Sequence, residues 1–162
     1  MRIRLRSISL FLQRRPDKVK HAFNYRHFPL HFDFAQKTNL PMYLHSRNTN
    51  NDFYNIVKEN RHKFSSGVIH SFTENTDVLK QYLSLDLYIG VNGCSLKTKE
   101  NMDAVKQIPL DKIMLETDSP YCDIKNSHES FKYIKTKFDR IKKEKMKSGL
   151  LCKDRNEPCL MM

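Results

Sequence analysis

The chain has 162 residues, 39% of them hydrophobic and 29% charged, which is enough for one globular domain with its own core and excludes a disordered tail protein. No run approaches the roughly 18 apolar residues that a membrane-spanning helix needs, so the sequence excludes a membrane span. The net charge is +11, but the excess sits in the flanks, because residues 28–128 carry eleven basic and twelve acidic side chains, so bulk charge alone draws no phosphate to the middle of the chain.

Residues 1–27 carry eight basic side chains and one acidic, and Met1 to Leu12 alternates basic and apolar residues. That pattern reads as a basic leader outside the folded domain, either an organellar presequence or a divergent start. Residues 28–162 form the domain. Phe28 to Thr38 reads as a helix stopped at Asn39-Leu40-Pro41. Four short runs rich in β-formers follow: Met42–His45, Gly67–His70, Leu87–Val91 and Ile113–Asp118. Between them, 51–62, 75–85 and 99–108 place apolar residues at helical spacing. A basic helix near Lys132–Lys147 presents a solvated face.

Strands alternating with helices give an α/β fold with a parallel sheet. A closed eightfold barrel takes about 250 residues, so the pattern supplies about half of one. A complete small open sheet is the alternative on length.

Three of the four strands end in a metal-ligand type of residue: His45, His70 and Asp118. In parallel α/β folds the carboxyl ends of the strands form the functional face. Imidazoles with a carboxylate suit Zn²⁺ or Mn²⁺, and Mg²⁺ where carboxylates and water dominate. The remaining strand, Leu87–Val91, runs into Gly93-Cys94-Ser95-Leu96-Lys97, where Ser95 and Lys97 are candidates for a phosphate oxygen, as is Arg47 beyond His45. Cys94, Cys122, Cys152 and Cys159 show no CxxC spacing, which argues for reduced thiols inside a cell.

Leu40-Pro-Met-Tyr-Leu-His-Ser-Arg47, His70-Ser-Phe72, Gly90-Val-Asn-Gly-Cys-Ser-Leu-Lys97, Leu115-Glu-Thr-Asp-Ser-Pro120 and Arg155-Asn-Glu-Pro158 occur in one order. Together they resemble the TatD-type metal-dependent deoxyribonucleases, over roughly residues 32–159. The resemblance implies a partial (β/α)₈ TIM-type barrel of the metallo-dependent hydrolase class, with strands five to eight present. It implies divalent metal (Mg²⁺, Mn²⁺ or Zn²⁺) and DNA as substrate, cut from an end.

Carried over, His45 and His70 match the fifth- and sixth-strand ligands. Asp118 matches the eighth-strand aspartate that binds metal and positions water. Glu116, two residues earlier on a strand, points to the same interior and orients a ligand. Arg155 and Asn156 tie the last loop to the mouth, and Tyr121 is a candidate for stacking on a base. The family's His-x-His pair and fourth-strand glutamate have no match here. The expectation is therefore a chain impaired in hydrolysis, with a catalytically silent fragment of weak nucleic-acid affinity, or a metallohydrolase of small amides or esters, as alternatives. His45, His70 and Asp118 are expected to converge on one ion. The first and fourth strands are expected to present unpaired edges through which copies self-associate. Nucleus or cytoplasm is the expected location, with the mitochondrion as the alternative from the basic leader.

Overall fold

A computed structural model describes residues 8–13 as backbone, together with 26–49 and 51–161. In chain order the main elements are β1 (Ile8–Gln13), α1 (Leu30–Thr38), β2 (Met42–Arg47), α2 (Asp52–Glu59), β3 (Gly67–Ile69), α3 (Thr76–Ser84), β4 (Tyr88–Val91), α4 (Lys99–Val105) and β5 (Ile113–Leu115). The small strands β6 (Arg140–Ile141) and β7 (Leu151–Cys152) follow and pair with each other. The sheet runs β1-β2-β3-β4-β5, so spatial order equals chain order, and β1 to β4 are parallel. The fold class is α/β, and a parallel sheet in chain order with helices between its strands is the pattern of a partial (β/α)₈ barrel. Among the described residues no helix is long and apolar enough to cross a membrane.

The chain divides into two compact units, residues 1–70 with 80–89 and residues 71–79 with 90–162. The first unit is organised around aromatic rings. Phe28, Phe32, Phe53 and Val57 are buried on α1, on α2 and in the segment before α1, as are Met42 and Leu44 of β2. Phe28 meets Phe32 edge-on at 5.5 Å, and Phe53 meets Tyr82 of α3 at 5.7 Å. α1 ends where Asn39 turns left-handed at φ 51°, a conformation asparagine tolerates, and Pro41 then blocks continuation. Arg61 donates to the carbonyls of Leu85 and Phe64, closing the turn after α2 over the core. Gly67 is closely packed, since a Cβ there would lie 3.1 Å from the Met42 carbonyl and 3.2 Å from the Phe64 ring.

In the second unit the last half of β4 is bracketed by the Phe72 N–H on the Gly90 carbonyl and the Glu116 N–H on the Val91 carbonyl. Phe72, Leu79, Val91, Ala104 and Ile108 are its buried apolar residues. Thr98 caps α4 by accepting from the Asn101 N–H at 3.1 Å.

Four expectations change. Residues 8–13, inside the stretch read as a leader, form β1 and pair with β2 from Ile8↔Met42 to Gln13↔Arg47. Ile8-Ser-Leu-Phe-Leu-Gln13 is uncharged and mostly apolar, which suits a strand of a parallel sheet. The outer edge of β2 is consequently paired rather than open. The fourth predicted strand, Ile113–Asp118, stops at Leu115, because Asp118 takes φ 55° and cannot extend. Lys132–Lys147 is not a helix. Its basic residues are exposed in short turns around β6, and Arg140 pairs with Asp123 through both guanidinium nitrogens.

Candidate active site

The first unit contributes a histidine pair. β2 alternates, with Met42 and Leu44 buried and Tyr43 and His45 half-buried on the other face. The β2–β3 register runs Met42↔Gly67, Tyr43↔Val68, Leu44↔Ile69, so the next step sets His45 beside His70. The His70 N–H donates to the Leu44 carbonyl at 2.7 Å and fixes that step. The two imidazole rings stand 5.2 Å apart with a 42° tilt. With a metal–nitrogen bond of about 2.0–2.1 Å, two imidazoles at a tetrahedral angle hold their ring centres about 5 Å apart. The ordinary spacing of neighbouring strands therefore brings His45 and His70 to a separation that suits a shared ion.

Tyr43 lies on the same face, one diagonal step from His70. Its hydroxyl shares a 2.5 Å hydrogen bond with His70 Nδ1, and the rings lie 4.8 Å apart. The Tyr43 hydroxyl thus occupies Nδ1 of the His70 ring. Arg47, at the end of β2, is exposed.

The second unit holds the other candidates. Asn92 follows β4, and its side chain accepts from the Cys94 N–H at 2.9 Å. The Asn92 N–H donates to Ser95 Oγ at 3.1 Å, completing a reciprocal cap around Gly93–Leu96. Ser95 is fully buried and its hydroxyl is committed to this turn, while Lys97 is exposed. Gly93 is indispensable to the loop, because a Cβ there would lie 2.0 Å from the Cys122 carbonyl oxygen.

Glu116 leaves β5 with its carboxylate over Gly90, where a Cβ would meet all three carboxylate atoms at 2.9 Å. Glu116 Oε1 accepts from the Ser71 N–H at 2.5 Å and from Asn92 Nδ2 at 3.5 Å, and Asn92 Nδ2 also donates to Ser71 Oγ at 3.0 Å. Asp118 receives the Cys122 thiol on Oδ2 at 3.4 Å, and Cys122 Sγ lies 2.8 Å from Cys94 Sγ. Burial first, then Cys94 and the Asp118 carboxylate, push the Cys122 thiol far above its ordinary range. Asn156 is buried and ties the Asp118 loop down, donating from Nδ2 to the Thr117 carbonyl at 2.8 Å and from its N–H to the Pro120 carbonyl at 3.0 Å. Arg155 beside it is exposed and faces Glu157, and Tyr121 is 71% exposed. Burial, with Lys97 and Lys125 nearby, holds His128 below the usual histidine value.

Two of the three proposed ligands are thus brought together, in the first unit. Among the described residues no three His, Cys, Asp or Glu side chains are grouped to hold an ion. Sequence reasoning missed Tyr43, Ser71, Asn92 and the Cys94–Cys122 pair. The alternation of β2 was a signal for Tyr43, since it shares a face with His45, and the carboxyl end of β4 was a signal for Asn92.

The family model described as "TatD related DNase" matches residues 13–151. The chain belongs to this TatD family. A "Deoxyribonuclease Tat-D" of Schizosaccharomyces pombe is 47% identical over 128 residues, 77% of this chain and 41% of that protein. An "Uncharacterized metal-dependent hydrolase" of Buchnera aphidicola is 40% identical over 83 residues, 50% of this chain and 31% of that protein. The crystal structure of a hydrolase TatD family protein from Entamoeba histolytica superposes with a TM-score of 0.81 at 33% identity, covering 95% of this chain and 51% of that one. The chain therefore spans about two fifths of the length of the S. pombe TatD relative.

Proposed function

We propose that this chain is part of a metal-dependent hydrolase that cuts DNA phosphodiester bonds from an end. The observation that carries the reading is the His45–His70 pair, two imidazoles at equivalent strand ends 5.2 Å apart, in a TatD-family chain. Relatives named as a deoxyribonuclease and as a metal-dependent hydrolase support the same chemistry.

His45 and His70 would hold a divalent ion (Mn²⁺, Zn²⁺ or Mg²⁺), and Asp118 is the carboxylate that the family resemblance puts forward for the water. Tyr43 accepts the Nδ1 proton of His70 and so keeps that ring in the tautomer that ligates through Nε2. When bound, the divalent ion acidifies water and offsets charge on the phosphoryl oxygens. Asp118 orients the attacking water and takes its proton. Glu116 holds the Ser71 and Asn92 segments that flank the strand ends. Arg47 and Lys97, both exposed, meet the phosphates, while Ser95 closes the loop that carries Lys97. Four cysteines without CxxC spacing support an intracellular setting, in the nucleus, cytoplasm or mitochondrion. The last strand of the sheet, β5, offers Leu115 and Met114 to a second copy of the chain.

With only two ligands gathered, residues 1–162 alone cleave at least ~100-fold more slowly than a complete site, the scale of losing one transition-state donor. The test is Mn²⁺ calorimetry together with cleavage of linear and circular DNA. His45→Gln and His70→Gln are expected to abolish Mn²⁺ binding, and Asp118→Asn to abolish the residual cleavage of linear DNA. Cleavage of circular DNA at the same rate overturns the end-directed mode. Equal cleavage by the chain and Asp118→Asn overturns the enzymatic reading and leaves a silent fragment.

A further inference from the structure

We propose that Cys94 and Cys122 are a reversible disulfide pair, closed by exchange with a low-molecular-weight disulfide such as oxidised glutathione and opened by the corresponding thiol. Their sulfurs lie 2.8 Å apart, and a disulfide bond of about 2.05 Å needs less than an ångström of further approach. The approach is built into the backbone. Gly93 packs directly against the Cys122 carbonyl, with no room for even a Cβ, so the residues bearing the two thiols are held by main chain rather than by chance rotamers. The Asn92 side chain fixes the Cys94 N–H from below at 2.9 Å. Cys122 takes φ 57°, a left-handed conformation that its loop imposes. Both thiols are half-buried, which leaves access to a small disulfide. Cys152 is buried and Cys159 exposed, and neither has a thiol partner among the described residues.

The reaction balances as two thiols and one external disulfide giving one protein disulfide and two external thiols. One cysteine sulfur attacks the external S–S bond, forming a mixed disulfide and releasing the first thiol. The second cysteine passes its proton to the thiolate already released, attacks the mixed disulfide as a thiolate, the Cys94–Cys122 bond forms, and the second external thiol leaves. Both thiol protons end on the released thiols, and the external disulfide is the species reduced. Closing the bond removes the S–H that Cys122 donates to Asp118 Oδ2. Oxidation is thereby written directly onto the carboxylate that the family resemblance marks as functional. The pairing itself rests on the loop geometry and stands whether or not the chain binds a metal.

The experiment uses the full chain, equilibrated with oxidised glutathione, alkylated and digested with trypsin without reduction. Residues 81–97 and 113–125 are the tryptic peptides that carry Cys94 and Cys122. They are expected as one cross-linked species, with a yield at least about tenfold higher from native protein than from protein in urea, because folding holds the thiols in place. The Cys152→Ser/Cys159→Ser variant is expected to give the same cross-link. Cys122→Ser is expected to leave glutathione on Cys94. Three results overturn the proposal: separate glutathione adducts on Cys94 and Cys122 without a cross-link, equal cross-linking to Cys152 or Cys159, or equal yield in urea.

Discussion

Replacing Tyr43 by phenylalanine deletes one oxygen and keeps the ring that packs 4.8 Å from the His70 imidazole. What is lost is the 2.5 Å hydrogen bond to Nδ1. A hydrogen bond of this kind contributes about 0.5–1.5 kcal/mol net, so urea unfolding of Tyr43→Phe is expected to show a loss of about 1 kcal/mol. The effect on metal is expected to be larger. Removing the partner of a ligand's second nitrogen typically costs about 10–100-fold in affinity, which corresponds to about 1.4–2.8 kcal/mol. Mn²⁺ calorimetry on wild type, Tyr43→Phe and His70→Gln measures this beside the unfolding curves. A Tyr43→Phe chain that is less stable by about 1 kcal/mol yet binds Mn²⁺ as wild type would refute the positioning role. If His70→Gln also binds normally, the ion sits elsewhere and the ligand assignment itself fails.

Gly93→Ala drives a Cβ to 2.0 Å from the Cys122 carbonyl, where backbone must move, so a loss of at least about 2 kcal/mol is expected in denaturant. An unchanged midpoint contradicts the close approach. His128, held below 6.5 by burial and by Lys97 and Lys125, takes its proton in the unfolded chain before it does in the folded one. Its contribution is full above pH 6.5 and falls as pH drops toward the folded value, so His128→Asn is expected to flatten the acid side of a melting-temperature profile. An identical slope in both proteins refutes it. Leu115, 63% exposed in the last strand of the sheet, is expected to support concentration-dependent association in sedimentation velocity, which Leu115→Lys reduces. A wild-type chain that sediments as a monomer at all concentrations removes that edge from consideration.

The elements legible in the sequence are those whose signals are local. α1 stops where Asn39 and Pro41 say it should, and α4 starts at its Thr98 cap, because both decisions are made within a few residues. β5 was overextended because its end is decided from far away. Asn156 takes the Thr117 carbonyl from 39 residues downstream, and Asp118 turns left-handed. β1 shows the opposite difficulty. Ile8–Gln13 is a short apolar run beside basic residues, a setting that also fits a leader, and only pairing with β2 over six positions makes it a strand. The Lys132–Lys147 stretch carries the charge of a surface helix but few apolar residues at helical spacing. The Arg140–Asp123 pair and the β6–β7 bridge set its course instead.

For the site, residue type at a strand end was enough to find His45, His70 and Asp118, since few other residues at that place have ligand chemistry. The residues that hold the neighbouring loops have no such chemistry to betray them. Ser71 and Gly90 are small and ordinary, and they acquire meaning only through Glu116. Its carboxylate stands 2.9 Å from where a Cβ at Gly90 would be, so a side chain there would displace the acid from the Ser71 N–H. The same carboxylate satisfies the Ser71 N–H at a residue with φ 53°, which a chain without that acceptor would have little reason to adopt. A glycine in one strand, a serine after another and a glutamate beyond a third thus form one constraint. Because its parts lie 19 to 45 residues apart, no local reading joins them before the fold does.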